Sequence, residues 1–171
     1  METFKRRIYS ISGFVHDLVV VVKGSGLAIH TMWGNTISPQ FRQRLMLAVT
    51  GVNGCRYCTY LHSREALRAG LTQEEIKFLL GGLFENVPEQ EVKALLYAQH
   101  WADTNAQPDA QTRSYLYETY GAKKYRVMEM ALLLIRIGNL CGNSFDYFLF
   151  KLSNGRWGLT DEERNQSNST L

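Results

Sequence analysis

Cys55, Cys58 and His62 set two thiols three residues apart, with an imidazole four residues beyond the second. On a helix these positions share one face, so the dithiol would carry its own proton-handling group. A thiolate there gains from the free backbone N–H groups of a helix start and from nearby positive charge. Peroxide attack needs a thiolate, and the departing oxygen needs a proton. A histidine can move that proton near neutral pH, its ordinary pKa being about 6.5. A sulfenic acid formed on one sulfur can then condense with the other thiol before further oxidation, provided the side chains can reach disulfide geometry. The spacing is a redox signal. It leaves two alternatives open: a pair of buried structural thiols with a locally satisfied histidine, or a three-ligand zinc module, for which the spacing is not a strong signature.

The surrounding pattern is helical. Ile8 to Val22 reads as a helix, although its four consecutive valines also suit a strand. Gly24, Ser25 and Gly26 make a turn before a short helical stretch, Leu27 to Trp33. Ser38 followed by Pro39 is a cap and first helical residue. Phe41, Leu45, Ala48, Val49 and Val52 then recur at helical spacing, until Asn53 and Gly54 interrupt just before Cys55. The motif helix is expected to run to Ala69 and stop at Gly70. Thr72 and Glu75 form a capping box for the next helix. Pro88 opens another, and Asp109 caps a further one carrying Leu116 and Tyr120. Gly121 separates that from a long helix, Lys123 to Leu152, whose Gly138 and Gly142 mark close packing or bending. The expectation is a single compact all-α domain: residues 1–37 a helical extension, 38–159 the core, 160–171 a polar tail that frays.

With 171 residues, 45% hydrophobic and 20% charged, the chain can bury one substantial core without disulfide support. A net charge of +3 with no long basic block gives no reason to expect nucleic acid; Lys123, Lys124 and Arg126 read as a solvated helix start. Three cysteines, an odd number, and no recognisable leader point to a reducing cytosol. The apolar run Leu18 to Val22 is too short to span a membrane. No dinucleotide fingerprint or Walker loop is present, so no organic cofactor is expected, and no metal. Cys141 reads as a small buried hydrophobe and Arg136, Asn139 and Asn143 as a structural network. His30 and His100 have packing or surface roles, and the sequons at Asn165 and Asn168 are chance matches.

The residues around the dithiol match more than a bare Cys-x-x-Cys. Arg44 to Val49, Asn53 to Cys58, His62, Ala66 to Leu71 and the restart Thr72 to Ile76 resemble the alkylhydroperoxidase D-like branch of the carboxymuconolactone decarboxylase superfamily. The match is strong from Pro39 to Leu80, compatible through the later helices and poor before Ser38. The resemblance implies a compact helical domain that assembles into homo-oligomers, trimers or hexamers. It also implies a dithiol–disulfide cycle that reduces peroxides, restored by a dihydrolipoamide-bearing or thioredoxin-like donor. Carried over by position, Cys58 would attack peroxide, Cys55 would resolve the sulfenic acid and His62 would relay protons. Decarboxylating members generally lack the cysteine pair. One departure is plain: the relay usually includes a glutamate twelve residues ahead of the first cysteine, where this chain has Gln43. An amide can orient a hydrogen bond but cannot cycle as a carboxylate base. Another is Tyr57, where some members have a second histidine. Glu65, three residues after His62, is a candidate substitute that would orient the imidazole, against an ordinary surface pairing with Arg64 or Arg68.

Two functions compete on this reading. The first is a cytoplasmic thiol-dependent oxidoreductase, alkylhydroperoxidase-like, acting on hydrogen peroxide or a small organic hydroperoxide. The second is a non-catalytic oligomeric or redox-responsive binding protein on the same scaffold.

Overall fold

Side-chain caps start most of the helices. The Oγ of Ser10, Ser38 and Thr72 and the carboxylate of Asp109 each accept a first-turn N–H, at 3.1, 3.0, 3.1 and 2.8 Å, each contact worth about 1 kcal/mol. The computed structural model describes residues 3–168, which hold eight helices and no strand. In chain order these are α1 (Ile11–Lys23), α2 (Ser25–Trp33), α3 (Pro39–Asn53), α4 (Arg56–Arg68), α5 (Gln73–Leu80), α6 (Glu89–Asp103), α7 (Ala110–Leu152) and α8 (Asp161–Asn168). The two predicted helices on either side of Gly121 run end to end as α7, with a break at Gly121, whose φ of 74° and ψ of 161° are non-helical.

α3 is the centre. Seven consecutive residues, Leu45 to Gly51, include six buried ones, so this stretch is buried on every side and the helix is wrapped by α4, α5, α6 and α7. α7 supplies the opposite wall through Val127, Met128, Ala131, Leu132 and Ile135. The two ends of the motif helix are set by backbone conformation: Gly54 sits at φ 67° and Gly70 at φ 97°, the left-handed region where glycine is unstrained.

Several expectations shift. α1 begins at Ile11 rather than Ile8, because Arg6, Arg7 and Tyr9 leave the helix path to reach α6 and α7. The guanidinium of Arg7 donates to the Ala102 and Asp103 carbonyls, and Tyr9 N–H donates to Ser144 Oγ at 3.0 Å. The capping box at Thr72 is one-sided, since Glu75 turns away to bind Arg44 at 2.6 Å. A complete box appears instead where a frayed tail was expected. Thr160 N–H donates to Glu163 at 2.8 Å and Glu163 N–H to Thr160 Oγ1 at 3.3 Å, and α8 follows. The end of the tail, 169–171, with part of the second sequon, lies outside the described residues. Among the described residues no single helix is long and apolar enough to cross a membrane; α1 and α2 pass that test only as a pair, bent by 79°.

Candidate functional site

The chain turns at Gly54 and enters α4 with Cys55 as its cap, the sulfur accepting the Cys58 N–H at 3.4 Å. One turn on, the Cys58 sulfur lies 3.0 Å from that of Cys55. This is about 1 Å beyond a covalent S–S bond. Cys55 is fully buried and Cys58 nearly so, 0% and 8% exposed, so the pair forms under α7 rather than on the surface.

When one of two thiols this close loses its proton, the backbone decides where the charge rests. The thiol of Cys58 hydrogen-bonds to Cys55, and the N–H groups of Cys58 and Tyr57 point to the same sulfur. Against the burial and the nearby Asp146 carboxylate, they bring Cys55 down to about 7. Cys58 moves the other way: it keeps its proton against the Cys55 thiolate, burial adds to the rise, and the Asn139 side-chain amide opposes it. When the pair loses a proton, the charge therefore rests on Cys55 while Cys58 keeps its thiol.

His62 follows one turn later on the same helix. Its Nδ1 lies 3.0 Å from Gln43 Oε1, so the ring donates there and Nε2 is left as its acceptor. Burial holds the imidazole below its ordinary value, with Glu65 pulling weakly the other way. The two predicted second-layer residues thus separate. Gln43, buried on α3, makes the orienting contact; Glu65 instead binds Arg68 at 2.6 Å on the surface. The substitute role of Glu65 is not what this geometry offers, because Arg68 one turn along competes successfully for its carboxylate.

α7 completes the site with residues that the motif does not contain. Gly138, Gly142 and Asp146 recur every four residues and face α4 as one stripe. A Cβ at Gly142 would stand 2.7 Å from Cys55 Sγ, and one at Gly138 3.6 Å from Cys58 Sγ. Asp146, fully buried, accepts from Arg56 at 2.6 Å, from the Tyr57 hydroxyl at 2.8 Å and from Arg6 at 2.7 Å. The first turn of α4 and the N-terminal extension are thus held by one carboxylate. The ring of Tyr57 packs against Phe145. Deeper in, Asn139 Nδ2 donates to Thr50 Oγ1 and Asn53 Nδ2 donates to Asn139 Oδ1, both at 3.2 Å. Asn143 Nδ2 donates to the Asn53 carbonyl at 2.7 Å. The expected structural network of Asn139 and Asn143 exists, and through Asn53 it reaches the end of α3 that precedes the dithiol. Arg136 stands apart from it, bound to Asp17 of α1 at 2.8 Å.

Cys141 is exposed, not buried as its type suggested, because it flanks the glycine stripe on the outer side of α7. His30 bonds Thr36 at 2.7 Å and His100 lies 3.6 Å from Asp109, both away from the dithiol. Among the described residues no group of three or more His, Cys, Asp or Glu side chains is arranged to hold a metal ion. The glycine spacing of α7 was the available signal for Asp146, one turn past Gly142; nothing in the sequence tied Thr50 to Asn139.

Residues 26–102 match the model of the Carboxymuconolactone decarboxylase family, a match consistent with its alkylhydroperoxidase D-like branch. No curated protein and no solved structure gives a significant match. The matched stretch runs from α2 to the end of α6 and contains Gln43, Cys55, Cys58, His62 and Glu65. The α7 stripe lies beyond it.

Proposed function

Starting from a chain whose residues 26–102 match the model of the Carboxymuconolactone decarboxylase family, we propose that it is a thiol-dependent peroxidase, or more broadly a disulfide oxidoreductase, that reduces a hydroperoxide at Cys55 and Cys58. The observation that carries this reading is the 3.0 Å approach of two buried sulfurs at a helix start. A structural pair of thiols has no need of a depressed pKa on one member; a redox pair does.

The cycle balances as follows. The Cys58 proton passes to the Cys55 thiolate as the Cys58 sulfur attacks the terminal oxygen of the hydroperoxide. The O–O bond breaks, its electron pair leaves on the alkoxide, and Cys58 becomes a sulfenic acid. His62, neutral at rest, takes at Nε2 the proton now on Cys55 and passes it to the departing oxygen, so an alcohol or water is released and Cys55 is again a thiolate. Cys55 then attacks the Cys58 sulfur, forming the disulfide and expelling hydroxide, which takes a proton from solvent to leave as water. Two electrons and two protons from an external dithiol, of the dihydrolipoamide-bearing or thioredoxin-like kind, restore the pair. Gln43 fixes the ring but supplies no charge to offset an imidazolium, so His62 works without the carboxylate of the usual relay. The chain acts as a homo-oligomer, a trimer or hexamer, in the reducing cytoplasm, where the dithiol is kept reduced between turnovers.

Stopped-flow oxidation of the reduced protein by peroxide tests this, with intact-mass readout of wild type, Cys55→Ser and Cys58→Ser. A fast Cys55–Cys58 disulfide, and sulfenic acid on Cys58 in Cys55→Ser, is expected. Oxidation no faster than that of a free thiol would favour the second reading, a redox-responsive binding protein, to which Gln43 at the relay position already lends support.

A further inference from the structure

The glycine stripe turns one side of α7 to the dithiol; Arg136 lies on another, bound to α1. There α1, the turn after α6 and α7 enclose a cavity of about 580 Å³ whose walls are chiefly polar. A second cavity, of about 340 Å³, adjoins it and shares His16, Asp17 and Ala106. Val20, Leu27, Trp101, Tyr125, Met130 and Leu133 make that second space largely apolar. Together the two have the size and mixed lining of a small-molecule site. Every residue of the polar cavity lies outside the stretch 26–102, so it is built by segments that the family model does not cover.

Arg136 is the buried cation of the polar cavity, its side chain 8% exposed. Its Nε donates to Asp17 Oδ2 and its Nη1 to Asn105 Oδ1, both at 2.8 Å. Among the described residues Nη2 has no acceptor. The nearby acceptors are already engaged. Asp17 Oδ2 also receives the Tyr9 hydroxyl at 2.8 Å, and its Oδ1 lies 3.2 Å from His16 Nδ1. What stays open is chiefly donors. They are Arg136 Nη2, the Nδ2 of Asn105, and the Ser12 N–H in the first turn of α1, where no intrahelical acceptor exists. A buried guanidinium with a spare N–H is costly until an acceptor meets it.

We propose that the two cavities form one binding site for a small amphipathic carboxylate, its oxyanion on Arg136 and its apolar tail in the second cavity. A carboxylate suits the guanidinium because planar donors and planar acceptors meet in charge-assisted hydrogen bonds. Asp17 does not repel it strongly, since three donors already answer that charge. In the second cavity Glu129 receives the Tyr97 hydroxyl, and Arg126 stands exposed at the edge. The tail is the part that the apolar walls select, and the head sets its direction.

Titration calorimetry of the full chain with sodium octanoate tests the site, with octan-1-ol and acetate standing for the tail alone and the head alone. Octanoate is expected to bind once per chain and about tenfold or more tighter than either, since each buried CH₂ is worth about fourfold and the charged contact about tenfold. The His16 ring lines both cavities and should shift in the NMR spectrum during the same titration. Two variants locate the head. Ser12→Glu brings a carboxylate to the polar cavity yet suits the first turn of a helix, and should weaken octanoate about tenfold while sparing octan-1-ol. Asp17→Asn combined with Arg136→Gln removes the ion pair as a whole, strands neither charge, and should weaken octanoate by a similar factor. If the double variant does not fold, Ser12→Glu decides. Octan-1-ol binding as tightly as octanoate would overturn the inference, as would octanoate binding unchanged by Ser12→Glu, or no binding at all.

Discussion

Cys55 and Cys58 have the same side chain and nearly the same burial, yet the backbone around them makes one an acid and the other a base. Cys55 caps α4 and collects N–H groups; Cys58 lies inside the helix and donates to it. Ultraviolet thiolate absorbance should therefore show a transition at about 7, abolished by Cys55→Ser; persistence of that transition in Cys55→Ser would assign it elsewhere. The same difference acts on stability. A thiol lowered from 9.0 to about 7 leaves the unfolded chain holding more protons between those values, so its contribution is full above 9 and is lost as pH falls through 7. Cys58, raised by folding, contributes fully below its ordinary value and loses that contribution as pH rises beyond it. Urea unfolding at stepped pH should show stability rising from 7 to 9 and falling above, with the rise absent in Cys55→Ser. His62 offers a separate experiment. Replacing Gln43 by Glu would put a carboxylate 3.0 Å from the ring nitrogen and raise the His62 pKa. Peroxide oxidation is expected to quicken by about tenfold as the relay gains a counter-charge. A raised pKa, seen by NMR, with an unchanged rate would remove His62 from the proton path.

At the scale of elements, the dithiol is built by α4 and clamped by α7. Gly142→Ala would set a Cβ 2.7 Å from Cys55 Sγ, whereas the same change at Gly138 meets Cys58 Sγ at an ordinary 3.6 Å. Gly142→Ala should therefore destabilise by about 1–3 kcal/mol and slow disulfide closure, while Gly138→Ala leaves closure nearly as fast. Equal closure rates in the two variants would mean that α7 does not set the sulfur geometry. Asp146→Ala leaves Arg6 with Glu163 as its carboxylate partner, takes the acceptor from Arg56 and the Tyr57 hydroxyl, and so loosens the first turn of α4. Denaturant unfolding is expected to register about 3 kcal/mol, and a loss under 1 kcal/mol would show water replacing the carboxylate. These elements also show what the chain announced in advance. Ser38-Pro39, Asn53-Gly54, Gly70, Thr72 and Asp109 fixed the helix boundaries because caps and left-handed glycines act within a few residues. The dithiol and His62 were legible for the same reason. Asp146, Asn139 and Thr50 were not, since the contacts joining α3, α4 and α7 cross about 90 residues, and local spacing carries no register between distant helices. Cys141 misled because composition predicts burial by type, while its side of α7 depends on where the glycine stripe faces.

The whole molecule leaves an apolar surface that one copy does not cover. Along α1, Ile11, Val15, Leu18 and Val22 form a helical stripe 87%, 51%, 43% and 64% exposed, and on α2 Ile29 and Trp33, one turn apart, are 60% and 80% exposed. The orientation is not an accident of a loose terminus. Asp17, on the opposite side of α1, is buried and bound to Arg136 at 2.8 Å and to the Tyr9 hydroxyl at 2.8 Å, which turns the apolar stripe outward and holds it there. Fully burying an aliphatic side chain of this size is worth about 1.5–3 kcal/mol, so a stripe of four with a tryptophan beside it can sustain association between copies. Sedimentation of the wild type should give a small multiple of 19.6 kDa, three or six under the proposed assembly. Val15→Glu combined with Leu18→Glu, both on the outward stripe and away from the Asp17–Arg136 anchor, should reduce it to the single-chain mass. The Cys55 titration should be unchanged, because the dithiol is built by α3, α4 and α7 within one copy. A wild type that sediments as a single chain would refute the homo-oligomer. A variant that dissociates and also loses the Cys55 transition would show instead that neighbouring copies complete the site.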